Sequence, residues 1–284
     1  MLVRNPMNIH QISKISLTPD VVDCIVFWTK NPKPMIDRLD ELSEYNYYFQ
    51  FTLNSYGKDV ETNVPSKQQE IVHTFKELSC KIGPERVIWR YDPILLNDTY
   101  TIDYHINYFE KIARTLKGYT QKCTISFIDL YRNTANNVKG LLLKVMTTED
   151  KRKIAESFSE IAQKYDLFID TCAEDIELED INISHAHCID SNLIEKIVGC
   201  KLNISKDKGQ RLECGCVESV DIGTYNTCKN GCKYCYANFS QNMVNKNSCL
   251  HDSQSPLLFG SVSADDTITS RKVESCKIFQ LDLF

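Results

Sequence analysis

The chain carries 284 residues, 42% of them hydrophobic and 25% charged, with a formal net charge of −5. That length buries a substantial core, and the acidic balance excludes a wholesale basic footprint for nucleic acid, though not a local one. No run of about 18 apolar residues offers a membrane span, and the opening MLVRNPMNIHQ lacks the basic-then-apolar order of a signal peptide, so a cytoplasmic protein with no membrane partner is expected.

Five short runs recur in chain order: CIVFWTKNP from Cys24, YYFQFTLN from Tyr47, RVIWRYDP from Arg86, CTISFIDLY from Cys123 and LFIDTCAE from Leu167. Rich in β-branched and aromatic residues, they predict buried parallel strands. Amphipathic helices are predicted between them. One presents Ile71, Phe75, Leu78 and Ile82 and stops at Gly83-Pro84. A second presents Tyr108, Ile112, Ala113 and Leu116 and stops at Gly118. A third presents Ile154, Phe158, Ile161, Ala162 and Tyr165. Glycine just past the last periodic residue is the expected helix stop.

Repeated β–α units of this length predict an α/β fold with a parallel sheet, either a barrel or a doubly wound layer. A short helix from Ser191 to Gly199 follows, and then the regular pattern fades. The chain therefore divides into a βα-repeat domain over 1–205, a cysteine-rich segment over 206–240 and a polar tail over 241–284. The tail is expected to pack as a strap or to be partly disordered.

Lys30, Asn31, Asn54, Arg90, Asp92, Asp129 and Glu174 fall at or just past predicted strand ends. Strand ends are often polar simply because they meet water. Seven together mark the carboxyl rim where α/β sheets and barrels bind ligands, with Glu174, Arg90 and Asp92 as candidate catalytic groups.

Thirteen cysteines are many for a chain expected in a reducing compartment, and ten of them lie from Cys172 onward. Clustered thiols there point to metal ligands or catalytic groups rather than disulfides. Cys228, Cys232 and Cys235 form C-x3-C-x2-C. Three thiolates on a 4Fe–4S cubane leave one iron open, and an open position marks a reactive metal site. Gly231 allows the tight turn that brings the three sulfurs together. Tyr234 and Tyr236 either pack the loop onto the core or shield a cluster and stack on an adenine.

Cys172, Cys188, Cys214 and Cys216 supply four further thiols, enough to complete a second 4Fe–4S cluster. Alternatively, Cys172 and Cys188 are buried small apolar side chains. Zinc is the competitor, with Cys214, Cys216, Cys228, Cys232 and Cys235 able to supply four sulfurs to one ion. His185 and His187, just before Cys188, allow a mixed site, and Lys206, Lys208 and Arg211 form either a solvated turn or a small cationic patch for phosphate. The alternative reading is a zinc-stabilised module without catalysis that binds nucleic acid or a partner protein.

Cys228-x3-Cys232-x2-Cys235, with an aromatic before the last cysteine, resembles the signature of radical S-adenosylmethionine enzymes, and GCKYCYA is similar to the spore photoproduct lyase branch. Over most of its length the chain also resembles a bacterial family known as domain of unknown function 1848. That resemblance rests on LVRNPMN, VVDCIVFWTKNP, YYFQFTLN, VIWRYDPILL, FIDLY, TCAE, CGCVESVDIGTYNTC and GCKYCYAN.

The resemblance implies a partial or circularly permuted (β/α) TIM-like barrel with a C-terminal cluster segment. Cys228, Cys232 and Cys235 would ligate a 4Fe–4S cluster, with Tyr234, Tyr236 and Asn238 beside bound S-adenosylmethionine. Reductive cleavage would give methionine and a 5′-deoxyadenosyl radical, with electrons from a flavodoxin or ferredoxin. Radical enzymes usually carry the motif after their first strand, so ESVDIGTYN is expected to be the strand before the cluster loop. No Gly-Gly-Glu occurs, which leaves the usual contact to the methionine amino group unmapped. The family usually opens with a segment containing Ser-Arg-Arg-Thr-Asp-Ile-Pro, so the chain reads as a shortened version lacking one strand.

Overall fold

All five apolar runs form strands of one parallel sheet in a computed structural model, which describes residues 1–130 and 134–278. The strands are β3 (Ile25–Thr29), β4 (Tyr47–Thr52), β5 (Val87–Ile94), β6 (Lys122–Phe127), β7 (Phe168–Thr171) and a sixth, β8 (Ser184–His185). They lie side by side in sequence order, and every pairing is parallel. The end of the CTISFIDLY run, residue 131, lies outside the described residues.

Alternation along each strand divides two buried faces. Phe49, Phe51, Trp89, Tyr91, Ile125 and Ile169 pack with the helices in one core. Those helices are α2 (Val72–Ile82), α3 (Ile102–Leu116) and α5 (Thr148–Lys164), and Phe109 of α3 stacks on Phe158 of α5 with ring centroids 3.8 Å apart. Their ends are chemically marked. Thr101 accepts a bond from the Tyr104 N–H, Thr147 and Asp150 form a capping box, and Gly83 ends α2 at φ +97°. The α3 stripe differs from expectation: it buries His105, Phe109, Ala113 and Leu116. Tyr108 stays 37% exposed, because helical geometry puts Phe109 on the same stripe as His105 and Ala113.

The opposite face is mixed. At one end Tyr48 and Ile88 pack against Ile194 of α6 (Ser191–Val198), while Gln50, Arg90, Thr124 and Asp170 are polar and nearly fully buried. Arg90 and Asp92 lie within β5 rather than beyond it, since that strand continues to Ile94.

A smaller sheet joins β1 (Leu2–Arg4), β2 (Gln11–Ile15) and β10 (Thr267–Arg271), and β9 (Lys201–Leu202) pairs with β11 (Lys277–Ile278). The polar tail thus carries α7 (Gln241–Cys249) and two strands that return to the body of the protein. Short helices α1 (Lys33–Ile36) and α4 (Ala135–Val138) complete the element order. No helix among the described residues is long and apolar enough to cross a membrane.

Candidate metal centre

Asn226 closes the loop that carries the first three thiols. Its backbone adopts φ +55°, and its N–H donates to the Ala237 carbonyl at 2.8 Å. Its side-chain oxygen accepts from Phe239 N and Ser240 N, and its own carbonyl accepts from Asn247 Nδ2 at 3.0 Å. Inside this ring Asn238 Nδ2 donates to the Cys228 carbonyl. Gly231 turns at φ +64°, where an added Cβ would also stand 3.0 Å from Asn63 Nδ2.

The loop sits on the carboxyl end of the sheet. Asn63 N–H donates to Asn230 O and Lys233 N–H to Val60 O, both at 3.0 Å, and Glu61 pairs with Cys232 in an antiparallel bridge. Beneath it Glu61 is 2% exposed. Its carboxylate accepts from Lys30 Nζ at 2.9 Å, lies 2.6 Å from Lys67 Nζ, and accepts from the Tyr234 hydroxyl. Asn54 Nδ2 donates to that same hydroxyl at 3.1 Å, and Lys30 Nζ stands 5.3 Å from the Tyr234 ring centre. Burial opposes the Glu61 charge, but Lys30 and Lys67 outweigh it and hold the carboxyl down to about 2. Burial also opposes the Lys30 charge, yet Glu61 and Cys232 leave its pKa raised.

Cys232 is buried, Cys235 half-buried and Cys228 exposed. Cys232 feels Cys228, Cys235 and Lys30 electrostatically, and Cys235 feels Cys228 and Lys30. Burial pushes the Cys232 thiol up to about 12, with Lys30 pulling the other way. Tyr234 belongs to the packing that anchors the loop, and Tyr236 is 57% exposed.

The second set, Cys172, Cys188, Cys214 and Cys216, packs in one cluster, from segments far apart in sequence. Cys172 directly follows β7, and its Sγ lies 3.2 Å from Cys188 Sγ. Ile189 N–H donates to Cys216 Sγ at 3.3 Å, and Cys216 interacts with both Cys188 and Cys214. Arg90 Nη1 donates to Cys188 Sγ at 2.9 Å, while its Nε and Nη2 donate to Asp92 Oδ2. Tyr48 and Gln50 hold the Cys188 carbonyl at 2.6 and 2.8 Å. Among the described residues no group of three or more His, Cys, Asp or Glu is arranged to hold a metal ion; the one close thiol pair is Cys172 and Cys188.

Arg90 and Asp92 connect the two sets: Arg90 bonds Cys188 Sγ, and Asn54 Nδ2 donates both to the Asp92 carbonyl and to the Tyr234 hydroxyl. Arg90 feels Cys188 and Cys172, Asp92 feels Lys30, and Lys30 feels Cys232. Burial opposes the Arg90 charge, but the thiols and Asp92 raise its pKa well above the ordinary value. Glu174 is occupied elsewhere: its carboxylate accepts from Phe127 N–H at 2.7 Å and Lys151 Nζ at 3.1 Å, while burial raises its pKa.

Other expectations resolve differently. ESVDIGTYN, residues 218–226, carries no strand. Its alternation leaves Ile222 and Thr224 half-buried, but a strand also needs a partner ladder, and only Val217 forms a bridge, to Lys206. In the basic run, Arg211 pairs with Asp129 at 2.5 Å and Lys206 donates to the Leu212 carbonyl. His187 packs over Gly215, where an added Cβ would lie 2.9 Å from three ring atoms. His185 Nε2 lies 3.3 Å from Glu177, and its Nδ1 is buried without a partner. Sequence reading missed Glu61 and Asn226, which lie in loops where no periodicity singles them out, and Lys67, which opens the helical turn Lys67–Ile71 leading into α2. The one available signal was that strand-end Lys30 needed a counter-charge.

Residues 1–237 match the family model described as domain of unknown function (DUF1848), and the chain belongs to that family. All seven cysteines of the two sets fall inside the matched span, whereas α7, β10 and β11 fall outside it. Comparison with curated proteins returns no match.

Proposed function

We propose that the chain is an iron–sulfur enzyme of the radical S-adenosylmethionine type, built on a partial (β/α) barrel, with Cys228, Cys232 and Cys235 as cluster ligands. Six parallel strands in sequence order, with helices packed on one face, support the barrel reading. One observation carries the function: the three-thiol loop is fastened over the carboxyl ends of β3 and β4 through Glu61, the rim where such folds place chemistry. When bound, a cubane with three thiolate ligands supplies an open iron for the cofactor's amino and carboxylate groups and the electron for its cleavage.

The chain's own residues suit that task. Lys30 places a buried positive charge beside Cys232, offsetting thiolate charge. Burial of Cys232 among core side chains keeps water from one side of the loop. Tyr234 and Asn238 fix the loop's shape, and Tyr236, 57% exposed, is the aromatic assigned to cofactor contact. Arg90 and Asp92 line the polar interior, and Glu174 positions the end of β6. Thiols so numerous and free fit a reducing cytoplasm, where a flavodoxin or ferredoxin would deliver the electron.

Anaerobic reconstitution with iron and sulfide should yield a brown protein. Once reduced with dithionite, it should convert S-adenosylmethionine to 5′-deoxyadenosine. The triple variant Cys228→Ala, Cys232→Ala, Cys235→Ala should lose that activity. A wild-type protein that stays colourless and leaves the cofactor intact overturns the reading.

A further inference from the structure

We infer that Cys172, Cys188, Cys214 and Cys216 form a separate, closed tetrathiolate centre for a single divalent metal ion of zinc type. It would join the ends of β7 and β8 to the cysteine-rich segment.

The spacing between sulfurs separates this from a second cubane. Sulfurs about 2.3 Å from a zinc ion stand about 3.8 Å apart at the corners of a tetrahedron. Thiolates on the four corners of a cubane stand on the order of 6 Å apart, because the inorganic core lies between them. Cys172 Sγ and Cys188 Sγ are 3.2 Å apart, and Cys214 and Cys216 pack in the same buried cluster. A single ion would sit beside the Cys172–Cys188 pair, with side-chain rotation bringing Cys214 and Cys216, packed in the same cluster, to the common point. A cubane would need the Cys172 and Cys188 sulfurs to separate by roughly 3 Å.

Polar donors are aimed at these sulfurs, which packing alone does not require. Cys188, Cys214 and Cys216 are at most 7% exposed, yet Arg90 Nη1 donates to Cys188 Sγ at 2.9 Å and Ile189 N–H to Cys216 Sγ at 3.3 Å. Four thiolates around a divalent ion leave a net dianion, which a buried site must offset with positive charge and N–H donors. Arg90 and the Ile189 N–H supply both. Gly215 lets the two cysteines of Cys-Gly-Cys point to one place while His187 lies over the backbone between them. Binding would release the thiol protons to solvent and involve no electron transfer.

This centre is independent of the proposed cluster at Cys228, Cys232 and Cys235, so the test uses the variant that lacks that cluster. The Cys228→Ala, Cys232→Ala, Cys235→Ala protein should hold about one zinc per chain. After exchange with cobalt(II) it should show the visible spectrum of a tetrahedral tetrathiolate site. Adding Cys188→Ser and Cys216→Ser should abolish both signals. For the unmodified chain, zinc-edge X-ray absorption should fit four sulfurs at about 2.3 Å, a readout that needs no variant to fold. Zinc bound by nitrogen or oxygen, a zinc-free wild-type protein, or iron with equal inorganic sulfide in the triple variant each overturns the inference.

Discussion

The phenol of Tyr234 donates a hydrogen bond to the carboxylate of Glu61, across 173 positions of sequence. That bond ties the cysteine loop to the segment following β4. It does so around a buried acid already shared by two lysines, and the chemistry proposed for the loop depends on this anchor.

Glu61→Gln should therefore destabilise the protein by about 3–5 kcal/mol, because it strands Lys30 and Lys67 as buried unpaired charges. Urea unfolding measures the loss. Limited proteolysis should cut the 226–238 loop faster in the variant than in the wild type.

Acid stability should report the same carboxylate. Its pKa is held down to about 2 when folded against an ordinary 4.5. The stabilisation is therefore present in full above pH 4.5 and is lost as pH falls from there towards 2, an effect of a few kcal/mol. Unfolding free energy measured against pH should show this acid limb in the wild type, and a flatter one in Glu61→Gln.

The two tyrosines beside Cys235 should separate. Tyr234→Phe removes a buried hydroxyl that both Glu61 and Asn54 use, costing about 1–3 kcal/mol. Tyr236→Phe, at an exposed position, should cost less. Thermal unfolding of the pair checks the order, and equal losses would count against Tyr234 as the anchor.

Gly231→Ala forces a Cβ into left-handed backbone and against Asn63. A penalty of about 1–2 kcal/mol is expected. Reconstituted iron content should fall along with it, since the turn orients Cys232. Gly118→Ala is also left-handed but has no atom within 4 Å of the added Cβ, so it should lose stability without losing iron.

Arg90→Gln should cost about 3–5 kcal/mol by leaving Asp92 unpaired in the interior. Arg90→Lys should not rescue it, because one ammonium cannot reproduce the fork that holds Asp92 and Cys188 together. Denaturant midpoints of the two variants decide the point.

Local chemistry made much of the architecture legible. Apolar runs bounded by turn residues gave five of the six strands of the parallel sheet, and glycine stops marked the ends of three helices, because each signal acts over a few neighbouring residues. The spacing of Cys228, Cys232 and Cys235 was likewise visible, since one short loop carries all three. Alternation in residues 218–226 misled, because extended backbone becomes a strand only where another strand offers its hydrogen bonds. Nothing local links Glu61 to Tyr234, Arg90 to Cys188, or Cys172 to Cys188. Those pairings arise when parallel strands bring their carboxyl ends to one rim and the chain folds back across it, and burial there turns scattered acids, bases and thiols into mutual partners.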